Sequence, residues 1–461
     1  MRINFLSIIV CFLFVCIAVS SCLDSEDTYI ASSNATVHAF GLDTIHGKHY
    51  PFAIDQLNRK IYNLEPLPVG ADTLLDSILI DTFQVAGYIT SGLTTDTVLN
   101  LTAHQDLRGA INKINEQYKG DTNGLKFKVH APDMTTMREY TLYLRVFEHH
   151  PDSMNWQSMS MNGLPSNSLA NHQKTITLQD RLLMYVLGDN HQTVLYQNST
   201  KAYTQWEQKS LQGVAFESLP HFVKLETIQT PVSNLQEVLY TVVNNQLYQS
   251  VDGITWTVLD ILPENYTLQT LICGYDHTLI GLFQKDGKSY LIQTNQEITA
   301  WNLEQQTELP EGFPTENIYA TEYQTANLLE QVMIVGRTSQ DATRIIPWAY
   351  DGRNWTALNP DTDYASYCLT EKVGHNPAVM HYDKKFYIFG ETLNYIYASQ
   401  NRLAWYEADK KFFLPKELAT QGNFTTCIDS EQYIWIITGG NSEQNKNAIW
   451  RGRLNKFGYD Y

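Results

Sequence analysis

The stretch QLYQSVDGITW, residues 246–256, places a strand-like run of apolar and aromatic residues before a polar turn and a tryptophan. The same order recurs along the chain. Tryptophans stand at positions 156, 206, 256, 301, 355 and 405, so successive copies lie 45 to 54 residues apart. Sequence periods of about 20 to 50 residues are typical of solenoids and propellers. The stretch is therefore one copy of a repeat and not an isolated hairpin.

Three copies of the repeat contain the same polar turn, in which the Asp or Asn and the following Trp have a constant spacing. An Asp or Asn side chain accepts hydrogen bonds from the N–H groups of such a turn, a following Gly tolerates a positive φ, and the Trp fills the space between neighbouring sheets. We predict that these residues determine the fold. They are Ser250, Asp252, Gly253 and Trp256 in the first copy, Asp351, Gly352 and Trp355 in the second, and Ser399, Asn401 and Trp405 in the third.

The turn resembles the Asp-box of sialidase-like and Kelch-like propellers. It is one residue shorter than the commonest form, and only the copy that begins at Ser250 is complete. The Asp-box is structural in those families. The resemblance therefore implies that Asp252 and Trp256 stabilise the fold and do not catalyse a reaction.

Four strand-like segments fit into each repeat, and four strands form one propeller blade. Residues 448–454 match the third strand of a repeat, and no fourth strand follows them. Residues 156–159 are available to supply that strand from the front of the repeat region. The sequence thus predicts an all-β chain with a six-bladed propeller over residues 156–461, whose last blade is closed by residues 156–159.

The N-terminal part, residues 35–148, lacks the repeat and reads as a β-sandwich. Six strands are predicted, at 35–40, 50–55, 77–81, 96–101, 125–131 and 139–146. Residues 127–142 resemble the closing hairpin of cadherin-like or immunoglobulin-like modules.

A linker is predicted at residues 149–155. It begins with His149 and His150, but no third ligand lies at a useful spacing, so we predict no metal site. No cofactor is expected either.

The first residues read as a lipoprotein signal peptide, residues 1–21. An uncharged apolar run ends at Val19-Ser-Ser-Cys22, which resembles a lipobox with Cys22 as the lipidated first residue of the mature chain. An ordinary signal peptide is the alternative. Residues 22–34 would form a tether, and the acidic tract at 23–27 resembles the surface-export signal of Bacteroides-type lipoproteins. We expect a protein anchored to the outer membrane at Cys22, facing the cell surface.

The charge of the chain argues against nucleic acid as a partner. The formal net charge is −17, and it becomes −18 without residues 1–21 because Arg2 is lost. So acidic a chain repels phosphate backbones. Three cysteines remain beyond Cys22, namely Cys273, Cys368 and Cys427. We interpret them as buried thiols in strands, with one disulfide and one free thiol as the alternative.

Taken as a whole, the chain is similar to a family of uncharacterised Bacteroides-type surface lipoproteins. The resemblance rests on the lipobox, the acidic tract, residues 52–63 with the Pro-Leu-Pro at 66–68, the sandwich and the propeller. It implies this domain architecture and a location at the cell surface, and it identifies no catalytic residue.

Two classes of function stay open. The first is a non-enzymatic binding or scaffold protein with a glycan or protein ligand at the propeller mouth, where some of the 28 Tyr and 9 Trp could stack on it. The second is a sialidase-like glycoside-processing enzyme, which needs an arginine cluster and a Tyr nucleophile with an acidic partner. The repeat region holds seven scattered arginines and no such signature, so we favour binding.

Overall fold

The computed structural model of the 461-residue chain separates into two compact units, residues 1–150 with 459–461, and residues 151–458. The structure describes residues 30–91, 97–164, 173–188, 190–229, 234–337, 345–358, 378–390, 395–409, 414–419, 424–439 and 447–459, and the single residues 369, 393 and 412. The predicted signal peptide, Cys22 and Cys368 lie outside these residues.

The N-terminal unit consists of two sheets. Its strands are β1 (Val37–Gly41), β2 (Phe52–Asp55), β3 (Lys60–Asn63), β4 (Thr82–Val85), β5 (Tyr88–Ser91), β6 (Ile111–Ile114), β7 (Leu125–His130) and β8 (Met137–Phe147). One sheet pairs β1 with β4, and the other has the order β2-β3-β8-β7-β5 with β6 also paired to β8. Edge-to-face contacts join Phe83 to both Phe40 and Phe127, so side chains of the two sheets share one core.

The predicted hairpin at 127–142 is confirmed by the antiparallel pairing of β7 with β8. The predicted strands at 77–81 and 96–101 are wrong, because their described residues form only isolated bridges. Ile78 and Ile80 are nevertheless buried. The alternation of apolar residues therefore predicted their burial correctly. It did not predict a strand correctly, because a strand also needs a hydrogen-bonded partner along its edge. Strands β3 and β6, which pair in parallel with β8, were not predicted.

The second unit is a six-bladed propeller, as predicted. Blade 1 contains β10 (Gln173–Leu178), β11 (Arg181–Leu187), β12 (Thr193–Ser199) and β13 (Glu207–Lys209). Blade 2 contains β14 (Phe222–Gln229), β15 (Asn234–Val243), β16 (Gln246–Ser250) and β17 (Thr257–Leu259). Blade 3 contains β18 (Thr267–Tyr275), β19 (Thr278–Lys285), β20 (Lys288–Gln293) and β21 (Thr307–Glu308). Blade 4 contains β22 (Glu316–Gln324), β23 (Glu330–Arg337), β24 (Trp348–Tyr350) and β25 (Trp355–Ala357). Blade 5 contains β26 (Ala378–Tyr382), β27 (Lys385–Phe389), β28 (Ile396–Ser399) and β29 (Tyr406–Glu407).

Blade 6 combines both ends of the repeat region. It contains β30 (Phe424–Ile428), β31 (Ile434–Thr438) and β32 (Ala448–Leu454), and its fourth strand is β9 (Met154–Met159). The register pairs Trp156 with Gly452, and the lack of a side chain at Gly452 leaves room for the indole ring. Strand β9 begins at Met154, so the last two residues of the predicted linker, 154 and 155, belong to the blade.

The first strands of the blades run in the same direction around the axis. Between β10 and β30, Thr175 contacts Thr425 and Thr177 donates to the carbonyl of Ile428, so residue numbers rise together in both strands. Between β14 and β18, the pairs are His221 with Ile272 and Glu226 with His277. The start of every first strand therefore lies at one end of the axis, and the following hairpin lies at the other.

Helical structure is sparse in the described residues. It comprises one α-helix, α1 (Lys416–Ala419), and the 3-10 turns Ala71–Thr73, Arg108–Ala110, Leu303–Gln305 and Asn455–Phe457. Within this part of the chain, no helix combines the length and the apolar character needed to cross a membrane.

Candidate functional site

The turn at Ser250 is a closed hydrogen-bonded unit. The Asp252 carboxylate accepts bonds from the N–H groups of Ile254 at 2.8 Å and Thr255 at 2.7 Å, and from the Ser250 hydroxyl at 2.9 Å. The Ser250 oxygen accepts the N–H of Gly253 at 2.8 Å. Burial alone would raise the pKa of Asp252, but these bonds outweigh it and hold the pKa below its usual value.

Gly253 lets the turn approach blade 1. Its φ is +72°, and a Cβ placed there would lie 2.3 Å from a methyl carbon of Leu183. The hydroxyl of Tyr185 donates to the Gly253 carbonyl at 2.7 Å. The turn of blade 2 thus packs directly on β11 of blade 1, and a side chain at position 253 would push the two blades apart.

The other two predicted turns have the same geometry. Asp351 accepts the N–H groups of Arg353 and Asn354, at 2.9 and 2.7 Å. Gly352 has φ of +93°. In the third turn Asn401 accepts the N–H groups of Leu403 and Ala404, at 3.0 and 2.9 Å, and the Ser399 hydroxyl accepts that of Arg402 at 2.8 Å. Arg402 takes the place of the glycine with φ of +69°.

The three tryptophans that follow these turns pack between strands. Trp256 is 2% exposed and contacts Phe216 and Phe222. Trp405 is 3% exposed, and its indole N–H donates to the Arg402 carbonyl at 3.0 Å. Trp355 is half-buried and stacks on Tyr350. None of the residues predicted from the turns lines the axis of the propeller, so the structure separates them from the candidate binding site.

That candidate site is a cavity of about 460 Å³ on the propeller axis. The first strand of each of the six blades contributes to its wall. Polar or ionisable side chains come from five of these strands, and they are Lys174, Thr175, Thr177, His221, Lys224, Cys273, Tyr319, Thr321, Glu322, Thr425, Thr426 and Cys427. Blade 5 adds Val379 and Met380. The remaining wall is mostly aliphatic.

Three charged side chains line the cavity, and they differ in their partners. Lys224 forms an ion pair with Glu237 at 2.9 Å. Glu322 stands where the first strands end, and burial, reinforced by the neighbouring charge of Glu330, raises the pKa of its carboxyl to about 7. Lys174 stands where they begin. Burial lowers the pKa of the Lys174 ammonium to about 8, so the side chain is mostly protonated at neutral pH.

The other ionisable groups of the wall are neutral. Burial, followed by the charge of Lys174, lowers the pKa of His221 to about 3, and its Nε2 donates to the Ile272 carbonyl at 3.1 Å. Burial raises the pKa of Tyr319 and of Cys427 to about 12, and that of Cys273 well above its usual range. Both described thiols are free; Cys273 is buried, as the buried-thiol interpretation expects, whereas Cys427 is half-buried. They are protonated and therefore poor nucleophiles.

No group of three His, Cys, Asp or Glu side chains in the described ranges could hold a metal ion. The cavity instead offers one cation without an ion-pair partner in the described part of the chain, Lys174, together with hydroxyls and aliphatic surface. Sequence reasoning identified segments of the first strands but not the cavity residues. One sequence signal could have identified the cavity residues, namely a charged residue within an otherwise apolar first strand. Examples are HFVKL at 221–225 and IYATE at 318–322.

Both units match family descriptions. Residues 150–461 match the DUF6242 beta propeller domain, and residues 24–144 match the N-terminal domain of the same domain of unknown function. The chain belongs to the DUF6242 family. This confirms the prediction of a family of unknown function with a propeller. The cavity described above lies in the DUF6242 propeller domain.

Several solved structures resemble this DUF6242 protein, and two of those described below are named as propellers. A six-bladed fungal lectin from Aleuria aurantia is 11% identical, with 62% of this chain and 93% of the lectin covered and a TM-score of 0.37. The PQQ-bound aldose sugar dehydrogenase of Streptomyces coelicolor is 10% identical, with 66% and 99% covered and a TM-score of 0.39. The propeller domain of the Pyrococcus furiosus trilobed protease is 9% identical, with 60% and 95% covered and a TM-score of 0.32. No curated protein matches the chain.

Proposed function

We propose that this protein is a lipid-anchored, Bacteroides-type surface lipoprotein whose propeller binds a glycan in the axial cavity. The observation that carries the proposal is the cavity itself, built from the first strands of all six blades. Its volume of about 460 Å³ falls in the range of small-molecule sites, which is roughly 300 to 1,000 Å³. A concave wall with convergent polar groups is the ordinary form of such a site.

The composition of the wall favours a sugar over a protein as the ligand. Thr321 and Tyr319 line it with hydroxyls that donate to no described residue, interspersed with aliphatic side chains, whereas Thr177 donates to Ile428 and Thr425 to Thr175. Hydroxyls both donate and accept hydrogen bonds, which suits the hydroxyl groups of a sugar, and aliphatic surface suits its C–H faces. A folded protein would reach the cavity only with a side chain or a chain end, because standard protein interfaces need about 800 Å² per partner.

The positions of the arginines favour binding over sialidase-like hydrolysis. Among the described residues, no arginine lines the cavity. Arg181 donates to the Asp252 carbonyl, Arg402 to Gln331 and Arg451 to Gln157, all away from the axis. A carboxylate clamp of several arginines, which that reaction uses, is therefore not formed by the described part of the chain.

The anchor completes the proposal. A lipid on Cys22 followed by the acidic residues 23–27 would hold the two folded units at the cell surface, where extracellular glycans are accessible. In this arrangement the Asp-box-like turns at Asp252, Asp351 and Asn401 serve the propeller as structural elements.

A filled cavity should abolish binding. Ala320 lies on β22, faces the cavity and is exposed to its solvent, so Ala320→Trp occupies the volume without displacing core side chains. Ala357, an exposed residue of the outer strand β25, supports the matched control Ala357→Trp. The full chain, purified in detergent, is applied to an array of neutral and acidic glycans.

We expect the wild type and Ala357→Trp to bind the same glycans, and Ala320→Trp to lose at least about tenfold in apparent affinity, ~1.4 kcal/mol. Equal binding by Ala320→Trp would place the site elsewhere and refute the proposal. A wild-type chain that binds no glycan at all would refute it too.

A further inference from the structure

We infer that the ligand of the axial cavity carries an anionic group, a carboxylate or a sulfate, which binds the ammonium of Lys174. The inference rests on the proposed function, because it names the chemical class of the glycan that the cavity takes. It starts from one side chain, the second residue of β10, which lines the cavity wall.

Lys174 is a charge without a counter-charge. Its ammonium forms no hydrogen bond or ion pair with any residue that the structure describes. No charged side chain offsets the effect of burial, which alone lowers its pKa. The side chain is half-buried in the cavity wall, so its ammonium is partly removed from water without a partner among the described residues, and an anion that enters the cavity would offset the free-energy cost of that removal.

The groups around Lys174 do not supply the missing charge. His221, whose pKa the charge of Lys174 helps to lower, is neutral, and its Nε2 is occupied by the Ile272 carbonyl. The hydroxyl of Thr175 accepts a bond from Thr425 at 3.1 Å. Tyr319 and Cys427 stay protonated because burial raises the pKa of each to about 12. The wall at this end of the cavity therefore presents one positive charge among neutral groups.

Glu322 does not neutralise Lys174, although both line the cavity. Glu322 is the seventh residue of β22, near the hairpin end of the axis, and Lys224 is the cavity lysine whose charge lowers its pKa. A Cβ on Gly274 would lie 2.8 Å from its Oε1 and 3.7 Å from the Lys224 carbonyl, which places these three residues at one level. Lys224 itself is paired with Glu237. Within the described residues, the cavity thus has its unpaired positive charge where the first strands begin, while the carboxyl of Glu322 lies where they end.

This polarity selects the orientation of the ligand. The acidic group would lie at the Lys174 end, and the hydroxyls of the sugar ring would extend along Tyr319 and Thr321 of β22. A lysine ammonium binds carboxylate and sulfate alike, since it acts as a point charge and lacks the planar fork of arginine. Both kinds of acidic glycan are therefore candidates, and the experiment distinguishes them.

The test measures the full chain in detergent on the same glycan array and then by calorimetry with D-glucose, D-glucuronic acid and D-glucose 6-sulfate. These sugars share a ring and differ in charge and acidic group. The variants are Lys174→Met, which keeps the length of the side chain, Lys174→Arg, which keeps the charge, and the control Lys288→Met. Lys288 is exposed on β20, outside the cavity, and pairs with Glu308 at 3.1 Å.

We expect the wild type to prefer acidic glycans and to bind glucuronic acid or glucose 6-sulfate at least tenfold more tightly than glucose. The stronger of the two identifies the acidic group. Lys174→Met should weaken binding of the acidic sugar about tenfold to a hundredfold, the usual effect of a charged hydrogen bond, and leave neutral sugars unchanged. Lys174→Arg should retain most of the preference, and Lys288→Met should match the wild type.

Folding of the variant is checked independently. Because Lys174→Met removes an uncompensated charge from the interior, the ligand-free variant should melt at or above the temperature of the wild type. A lower melting temperature would mean that Lys174 has a structural partner, which would overturn the inference.

The outcomes separate this inference from the proposed function. Glycan binding that Ala320→Trp abolishes but Lys174→Met leaves intact would overturn the anionic ligand and keep the cavity as the site. Equal affinity of the wild type for glucose and both acidic sugars would also overturn the anionic ligand and keep the cavity as the site. Glycan binding that survives Ala320→Trp, or no glycan binding at all, would overturn both.

Discussion

Asp252 and Trp256 show how single residues hold two blades together. Asp252 fixes the turn through two backbone N–H groups, and Gly253 lets that turn approach Leu183 of blade 1. Trp256 then fills the core that blades 1 and 2 share, together with Phe216 and Leu239. The residues of the stretch 246–256 therefore stabilise the interface between blades 1 and 2. The axial cavity is enclosed by the blades that such interfaces hold together.

Truncation of these residues should reduce stability and spare binding. Trp256→Ala removes a buried aromatic side chain and should cost about 3 to 5 kcal/mol. Asp252→Ala leaves two turn N–H groups without their acceptor and should cost about 1 kcal/mol or somewhat more. Val251→Ala, at a side chain 46% exposed in the same turn, is the control and should have little effect. Thermal denaturation followed by tryptophan fluorescence measures the propeller, since all nine tryptophans lie at or beyond residue 156.

The pH dependence of the Asp252 effect follows from its lowered pKa. A carboxyl whose pKa is lower in the folded chain stabilises the fold above its unfolded pKa, about 3.9, and loses that contribution as the pH falls through the folded value. The difference in stability between wild type and Asp252→Ala should thus be full at pH 7 and shrink below about pH 4. If Asp252→Ala left melting unchanged and abolished glycan binding, the structural role of this turn would be wrong.

At the scale of elements, the decisive feature is the pairing of β9 with β32. Six residue pairs join the two strands, from Met159 with Ile449 to Leu454 with Met154. The indole of Trp156 lies over Gly452, where a Cβ would come within 2.3 Å of the ring. The closure therefore depends on residues nearly 300 positions apart, and it leaves no open edge on β32.

Removal of β9 should destabilise the propeller. A shortened chain that begins at residue 165 lacks β9 and exposes the edge of β32, so it should aggregate or unfold. A chain that begins at residue 151 keeps β9 together with the ion pair of Lys456 with Asp152 and should be soluble. Size-exclusion chromatography and circular dichroism of the two chains make the comparison. Equal behaviour would contradict a last blade shared by both ends of the repeat.

At the scale of the whole molecule, the proposed anchor decides where the cavity operates. Cys22→Ser should abolish incorporation of labelled fatty acid and release the protein from the membrane fraction, because the acyl chains provide the membrane affinity. Cys11→Ser, in the predicted signal peptide, removes a cysteine that is not expected to be lipidated and should leave labelling unchanged. Fractionation with metabolic labelling distinguishes the two. A Cys22→Ser chain that is still labelled and membrane-bound would refute the anchor.

The sequence by itself determined the repeat and the turns, because each depends on residues close together in the chain, and the missing fourth strand of the last repeat indicated the blade number. The alternation of β16, the Asp and Gly of its turn and the recurring tryptophans are local patterns, and the structure reproduces them at Ser250, Asp351 and Ser399. The alternation failed at 77–81, since burial of Ile78 and Ile80 does not supply a strand partner.

The tertiary structure alone decided which residues face the axis. Lys174 and His221 come near each other when blades 1 and 2 pack side by side, whereas Thr175 and Thr425, 250 residues apart, meet only when the ring of blades closes. Whether a charge in a first strand is paired, as Lys224 is with Glu237, or uncompensated, as Lys174 is, depends on these contacts between blades. No local pattern encodes them, because the free energy of a buried charge is set by whatever surrounds it in space.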